Sequence, residues 1–70
     1  MEKDLSINKV KGYRVMVNLT QEELAKKLGI ALRSYQNKEQ GITKFTVDEL
    51  KAIKNIIAEQ GVEIAIDDLV

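Results

Sequence analysis

The sequence predicts an all-α fold, a small bundle of four or five helices with at most a short strand near its end. Three observations carry that expectation. The 70 residues contain no proline and only four glycines, so little interrupts helix propagation. Apolar residues recur at three- and four-residue steps through most of the chain. Two segments open with a threonine followed by acidic residues, the pattern that starts a helix. The length suits a single domain, residues 1–70.

Ser6 is placed to cap the first helix. Ile7, Val10, Arg14 and Val17 then form a stripe along one face. Gly12 weakens that helix by roughly 1 kcal/mol relative to alanine, and Asn18 is expected to end it. The second helix has the clearest start. In Thr20-Gln21-Glu22-Glu23 the Thr20 hydroxyl is set to accept from the Glu23 amide, and the Glu23 carboxylate to reach back to the Thr20 amide. Leu19 and Leu24 flank this box as a hydrophobic staple. Leu24, Ala25 and Leu28 make the buried face, and Gly29 supplies the stop.

A third helix follows almost at once, about Leu32 to Glu39, and stops at Gly41. Tyr35 is its main apolar residue, so its neighbours must hold it in place. Residues 41–46 read as a loop. Phe45, Val47, Leu50, Ile53, Ile56 and Ile57 mark a longer fourth helix, capped by Thr46, with Asp48 and Glu49 in its first turn and Gly61 at its end. Val62 to Ile66 alternate at period two, which suits a strand. Asp67 to Val70 suit the end of a short last helix equally well, and both readings stand at this point.

Composition excludes several functions. Without histidine or cysteine the chain lacks the commonest general base, the commonest metal ligand and any disulfide. The acid pairs Glu22/Glu23 and Asp67/Asp68 are adjacent and do not converge on one helix face, so they read as capping and solvation. No catalytic residue, metal site, cofactor or small-molecule ligand is expected, and seventy residues leave no room for an inducer-sensing domain. No apolar run approaches the ~20 residues of a membrane span, and the amino end lacks the layout of a signal peptide. A cytoplasmic protein is expected. Net charge is zero but unevenly spread: residues 1–44 carry +4 and residues 45–70 carry −4. A basic front can attract phosphate while the whole stays neutral.

The segment from Thr20 to Gly41 carries the functional expectation. Two short helices joined by a tight glycine turn can cross at ~90–120°. Ala25, four residues before Gly29, is small enough for the close approach this demands. Off its buried side the third helix offers Leu32, Arg33, Gln36, Asn37 and Gln40. Arginine can grip the O6/N7 edge of guanine, asparagine and glutamine the N6/N7 edge of adenine, and leucine a thymine methyl.

Residues 7–70 resemble the phage repressor and Cro family of helix-turn-helix proteins, also called the XRE family, whose fold is the lambda-repressor-like DNA-binding domain. The matching core is Leu19-Thr20-Gln21-Glu22-Glu23-Leu24-Ala25-Lys26-Lys27-Leu28-Gly29-Ile30, followed by Ser34-Tyr35, Glu39 and Gly41. The resemblance implies that Ala31, Leu32, Arg33 and Asn37 stand at base-contacting positions. It implies phosphate contacts at Gln21, Ser34, Thr43 and Lys44, and a partly buried ion pair between Arg14 and Glu39. Three departures stand out. Ala31 replaces the usual Ser or Thr cap of the third helix. Lys38 stands where a buried apolar residue is common, its stem expected along the core with the amine outside. The segment after the fourth helix is longer than usual.

These readings lead to a transcriptional regulator that binds operator DNA in the major groove as a homodimer, a Cro-like or prophage-type repressor. Ile56, Ile57, Val62, Ile64 and Ile66 are the expected self-association surface, residues 61–70 acting as its tail. A second reading, a protein-interaction module such as an antirepressor or antitoxin component, draws on net neutrality, Ala31 and Leu32.

Overall fold

The computed structural model of the chain describes residues 2–69, with side chains for residues 9–67 and 69. Four helices run in order: α1 (Glu2–Met16), α2 (Gln21–Leu28), α3 (Leu32–Gln40) and α4 (Val47–Glu59), followed by a single 3-10 turn (Ile66–Asp68). The expected all-α bundle is borne out. No strand forms among the described residues, and no helix there is long and apolar enough to cross a membrane.

The first helix begins earlier than expected. Residues 2–5 hold no proline or glycine, so the helical backbone runs from Glu2. Ser6 therefore lies inside α1 and does not cap it. The capping box of α2 is present in full: Thr20 Oγ1 accepts from the Glu23 amide at 3.0 Å, and the Thr20 amide donates to Glu23 Oε1 at 2.8 Å. Thr46 and Glu49 repeat the arrangement at α4, at 3.1 and 2.8 Å. Helix α3 has no such aid, because the alanine at its N-cap has no side-chain acceptor.

All four helices end alike. Asn18, Gly29, Gly41 and Gly61 adopt positive φ, and the residue after each sends its N–H back to a carbonyl of the last turn. The pairs are Leu19 to Arg14 (3.1 Å), Ile30 to Ala25 (3.1 Å), Ile42 to Asn37 (2.9 Å) and Val62 to Ile57 (3.3 Å). This double closure takes up carbonyls that the helix cannot pair itself. Asn18 does without glycine because asparagine tolerates the left-handed region better than most side chains.

The core gathers one face of every element. Val10, Leu24, Ala25, Tyr35, Leu50, Ile53, Ile56, Ile57 and Leu69 are buried, with Leu19, Leu28, Ile30 and Phe45 packed around them. Tyr35 and Phe45 meet with ring centroids 5.9 Å apart and a tilt of 57°, a favoured aromatic geometry. Ala25 fits the close approach of α2 to α3.

The end of the chain corrects the strand reading. Val62 to Ala65 run without regular structure, and the period-two pattern shows itself in burial: Val62, Ile64 and Ile66 face the core while Glu63, Ala65 and Asp67 face outward. No strand lies alongside it among the described residues, so no sheet forms. Leu69, only 3% exposed, pins the 3-10 turn onto the body. Val70 and the Ile7 side chain lie outside the described residues.

Candidate nucleic-acid interface

The inner side of α3 is held by one carboxylate. Glu39 is 4% exposed and faces Arg14, which is 8% exposed on α1. Arg14 Nε donates to Glu39 Oε2 at 2.9 Å, and its second nitrogen approaches Oε1 at 3.4 Å. The Tyr35 hydroxyl, one helical turn before Glu39, donates to Oε2. Gln21, the first residue of α2, donates through Nε2 to Oε1 at 2.8 Å. These four donors match the roughly four lone-pair sites of an ionised carboxylate. Arg14 also donates to the Leu19 carbonyl at 2.8 Å, so one guanidinium ties α1, the following turn and α3 together. No buried side-chain nitrogen or oxygen lacks a partner among the described residues.

Burial by itself would raise the pKa of Glu39. The hydrogen bonds from Arg14, Tyr35 and Gln21, and the Arg14 charge, outweigh it and hold the carboxyl below its ordinary value. Burial also works against the charged form of Arg14, and the hydrogen bond and charge of Glu39 more than reverse that effect. Burial and the neighbouring carboxylate push the Tyr35 phenol well above its usual value. The site is thus an ion pair with a neutral tyrosine beside it.

The network fixes the inward face of α3 and leaves its outward face open. Ala31, Leu32, Arg33 and Ser34 are exposed along the first turn, Leu32 at 40%. Asn37 is half-buried, one turn after Arg33. Thr43 and Lys44 are exposed in the loop that leads to α4. Gln36 differs from the exposed Arg33 and Ser34. It is half-buried, and its Nε2 donates to Gln21 Oε1 at 3.1 Å.

Two groups stand elsewhere than expected. Ile57 is 0% exposed, and Ile56 is buried beside it in the monomer's own core, so neither offers a surface to a second copy. Val62, Ile64 and Ile66 are half-buried against the same core. The sequence reading missed the tyrosine and glutamine contacts of Glu39. The spacing of Tyr35 and Glu39, four apart on one face, was the available signal. The Lys38 amine, expected outside, is bound to Glu49 Oε1 and the Lys44 carbonyl, each at 3.0 Å, and its side chain is 16% exposed.

Two short helices joined by a tight left-handed turn, the second presenting an open polar face, define a helix-turn-helix DNA-binding module. The family model described as Helix-turn-helix matches residues 10–57, more than half of the chain. The chain belongs to this family, in its XRE and Cro-like branch, and is a DNA-binding transcription regulator of that type. Comparison with curated proteins and with solved structures gives no match.

Proposed function

We propose that the chain is a Cro-like or prophage-type repressor that reads operator DNA as a homodimer, with α3 in the major groove. The observation that carries this reading is the division of α3 into two faces. Arg14, Glu39 and Tyr35 lock one side, and Leu32, Arg33 and Asn37 lie off it. Arg33 is assigned to a guanine edge, Asn37 to an adenine edge, and Ala31 and Leu32 to apolar contact with thymine methyls. Gln21, Ser34, Thr43 and Lys44 are assigned to phosphates, which set position without reading sequence.

Size favours two copies. The longest dimension of the domain is 30 Å, short of the ~34–36 Å between half-sites on one face of the duplex. The half-exposed remainder of Val62, Ile64 and Ile66 is the proposed self-association surface, now without a strand edge and without Ile56 and Ile57. In this scheme regulation acts through concentration, competition for the operator or a partner protein.

The test is selection of bound sequences from a random DNA pool, followed by titration of the selected site. A two-fold symmetric site, two copies per site and a loss of about tenfold or more on Arg33→Ala or Asn37→Ala are expected. Unchanged affinity in both variants would remove the assignment. A second reading, a protein-interaction module, rests on Leu32, whose apolar side chain lies open beside an uncapped helix start. Salt separates the two. Binding through several phosphates falls with a slope of about −0.9 per phosphate in log–log form, whereas an apolar protein contact shows no such slope.

A further inference from the structure

Gln36 sits among the outward polar residues of α3, yet its amide points at another side chain. We infer that Gln36 is a positioning residue for Gln21 and not a reader of bases, an assignment that rests on the DNA-binding reading above.

Glu39 is ionised, paired with the Arg14 guanidinium at 2.9 Å. An ionised carboxylate only accepts hydrogen bonds. Gln21, 2.8 Å from Glu39 Oε1, must therefore turn its NH2 toward it. That choice places the Gln21 carbonyl oxygen on the other side, where it needs a donor. Gln36 supplies one, Nε2 to Oε1 at 3.1 Å. A single buried charge thus orders two amides in sequence, with Arg14 behind it keeping Glu39 ionised.

Each amide is left with a defined remainder. An NH2 group carries two donors. Gln21 spends one on Glu39 and its oxygen accepts from Gln36, so its remaining function is one N–H at the start of α2. Helix starts favour anions, because their first amides are also unpaired. With its oxygen held toward Gln36, the Gln21 amide presents its remaining N–H to a phosphate. Without Gln36, the bond to Glu39 alone would hold that orientation. Gln36 has one of its own donors committed, which places it apart from Arg33, whose side chain is exposed.

A reader and a positioning residue differ in what their loss does to sequence preference. The random-pool selection is repeated with Gln36→Ala and Arg33→Ala, and the selected operator is titrated with Gln36→Ala, Gln21→Ala and the double variant. Far-UV circular dichroism and thermal unfolding check that each variant folds. Gln36→Ala is expected to weaken binding about three- to tenfold on every sequence tested, the scale of one hydrogen bond, with the selected motif unchanged. In the Gln21→Ala background, Gln36→Ala is expected to cost less than about twofold, because coupled residues are not additive. Gln36→Glu, which sets an acceptor against the Gln21 oxygen, is expected to bind more weakly than Gln36→Ala. A changed base preference in Gln36→Ala, full additivity with Gln21→Ala, or no effect at all each overturns the inference while leaving the DNA-binding reading intact. Failure of the unaltered protein to enrich any sequence overturns that reading, and this inference with it.

Discussion

Arg14 and Glu39, 25 positions apart, close a buried ion pair at 2.9 Å that joins the first helix to the end of the third. Pairing of this kind is asymmetric in its energetics. The intact pair contributes little net stability, but removing one member strands the other.

Glu39→Ala leaves the Arg14 charge, the Tyr35 hydroxyl and the Gln21 amide without their common acceptor. The expected loss is ~3–5 kcal/mol, and Tm should fall by more than about 10 °C for a domain this small. Arg14→Met combined with Glu39→Met removes both charges and is expected to lose less than Glu39→Ala alone. Urea and thermal unfolding of the three proteins measure this; a double variant as damaged as the single one contradicts it.

Stability should depend on pH in a defined way. Glu39, Glu49 and Glu23 all titrate below their ordinary value when folded. A depressed carboxyl pKa adds stability that is present above the unfolded value, about 4.3, and is lost as pH falls through the folded value. Tyr35 is raised, so its contribution is present below the unfolded value of about 10 and is lost as pH rises beyond it. With no histidine, nothing on a side chain titrates ordinarily near neutrality. A broad plateau between about pH 5 and about pH 10 is expected. A sharp stability change near pH 6–7 in buffered melts argues against it.

Ala31 occupies the N-cap of α3 with extended backbone angles, φ −67° and ψ 149°, and makes no side-chain hydrogen bond. That backbone already suits a capping serine. Ala31→Ser is expected to raise stability by about 1 kcal/mol, read as a rise of several degrees in Tm. An unchanged or lower Tm refutes this. Thr20→Ala, which removes an existing cap, serves as the opposite control.

Lys38 and Glu49 give a further contrast. Glu49 accepts from Lys38 and also closes the capping box of α4. Lys38→Met keeps the box and the packing of the stem, so a change within about 1 kcal/mol is expected. Glu49→Ala loses both functions and is expected to cost more, about 1–2 kcal/mol. Equal losses by chemical denaturation exclude this division of labour.

Much of the architecture was legible in the residues. The capping box at Thr20, the stops at Gly29, Gly41 and Gly61 and the apolar stripe of α4 are local signals, and local chemistry decides them. The Arg14–Glu39 pair became visible through the family pattern, since charge and spacing alone favour two unrelated surface groups. What was not legible was long-range or end-dependent. Ser6 suits a cap only if nothing upstream is helical. Ile56 and Ile57 look available until α4 is known to bury them in the common core. The turn of Gln36 toward Gln21 depends on α2 and α3 being packed together, which no window of neighbouring residues encodes.

The shared way in which the four helices end has a consequence for how such a protein can change. Each stop is written in main-chain geometry, at Asn18, Gly29, Gly41 and Gly61. The outward side chains of α3 therefore play no part in deciding where it halts. Leu32, Arg33 and Asn37 can be exchanged like type in a fixed forme, and a new address can be composed without recasting the frame that holds it.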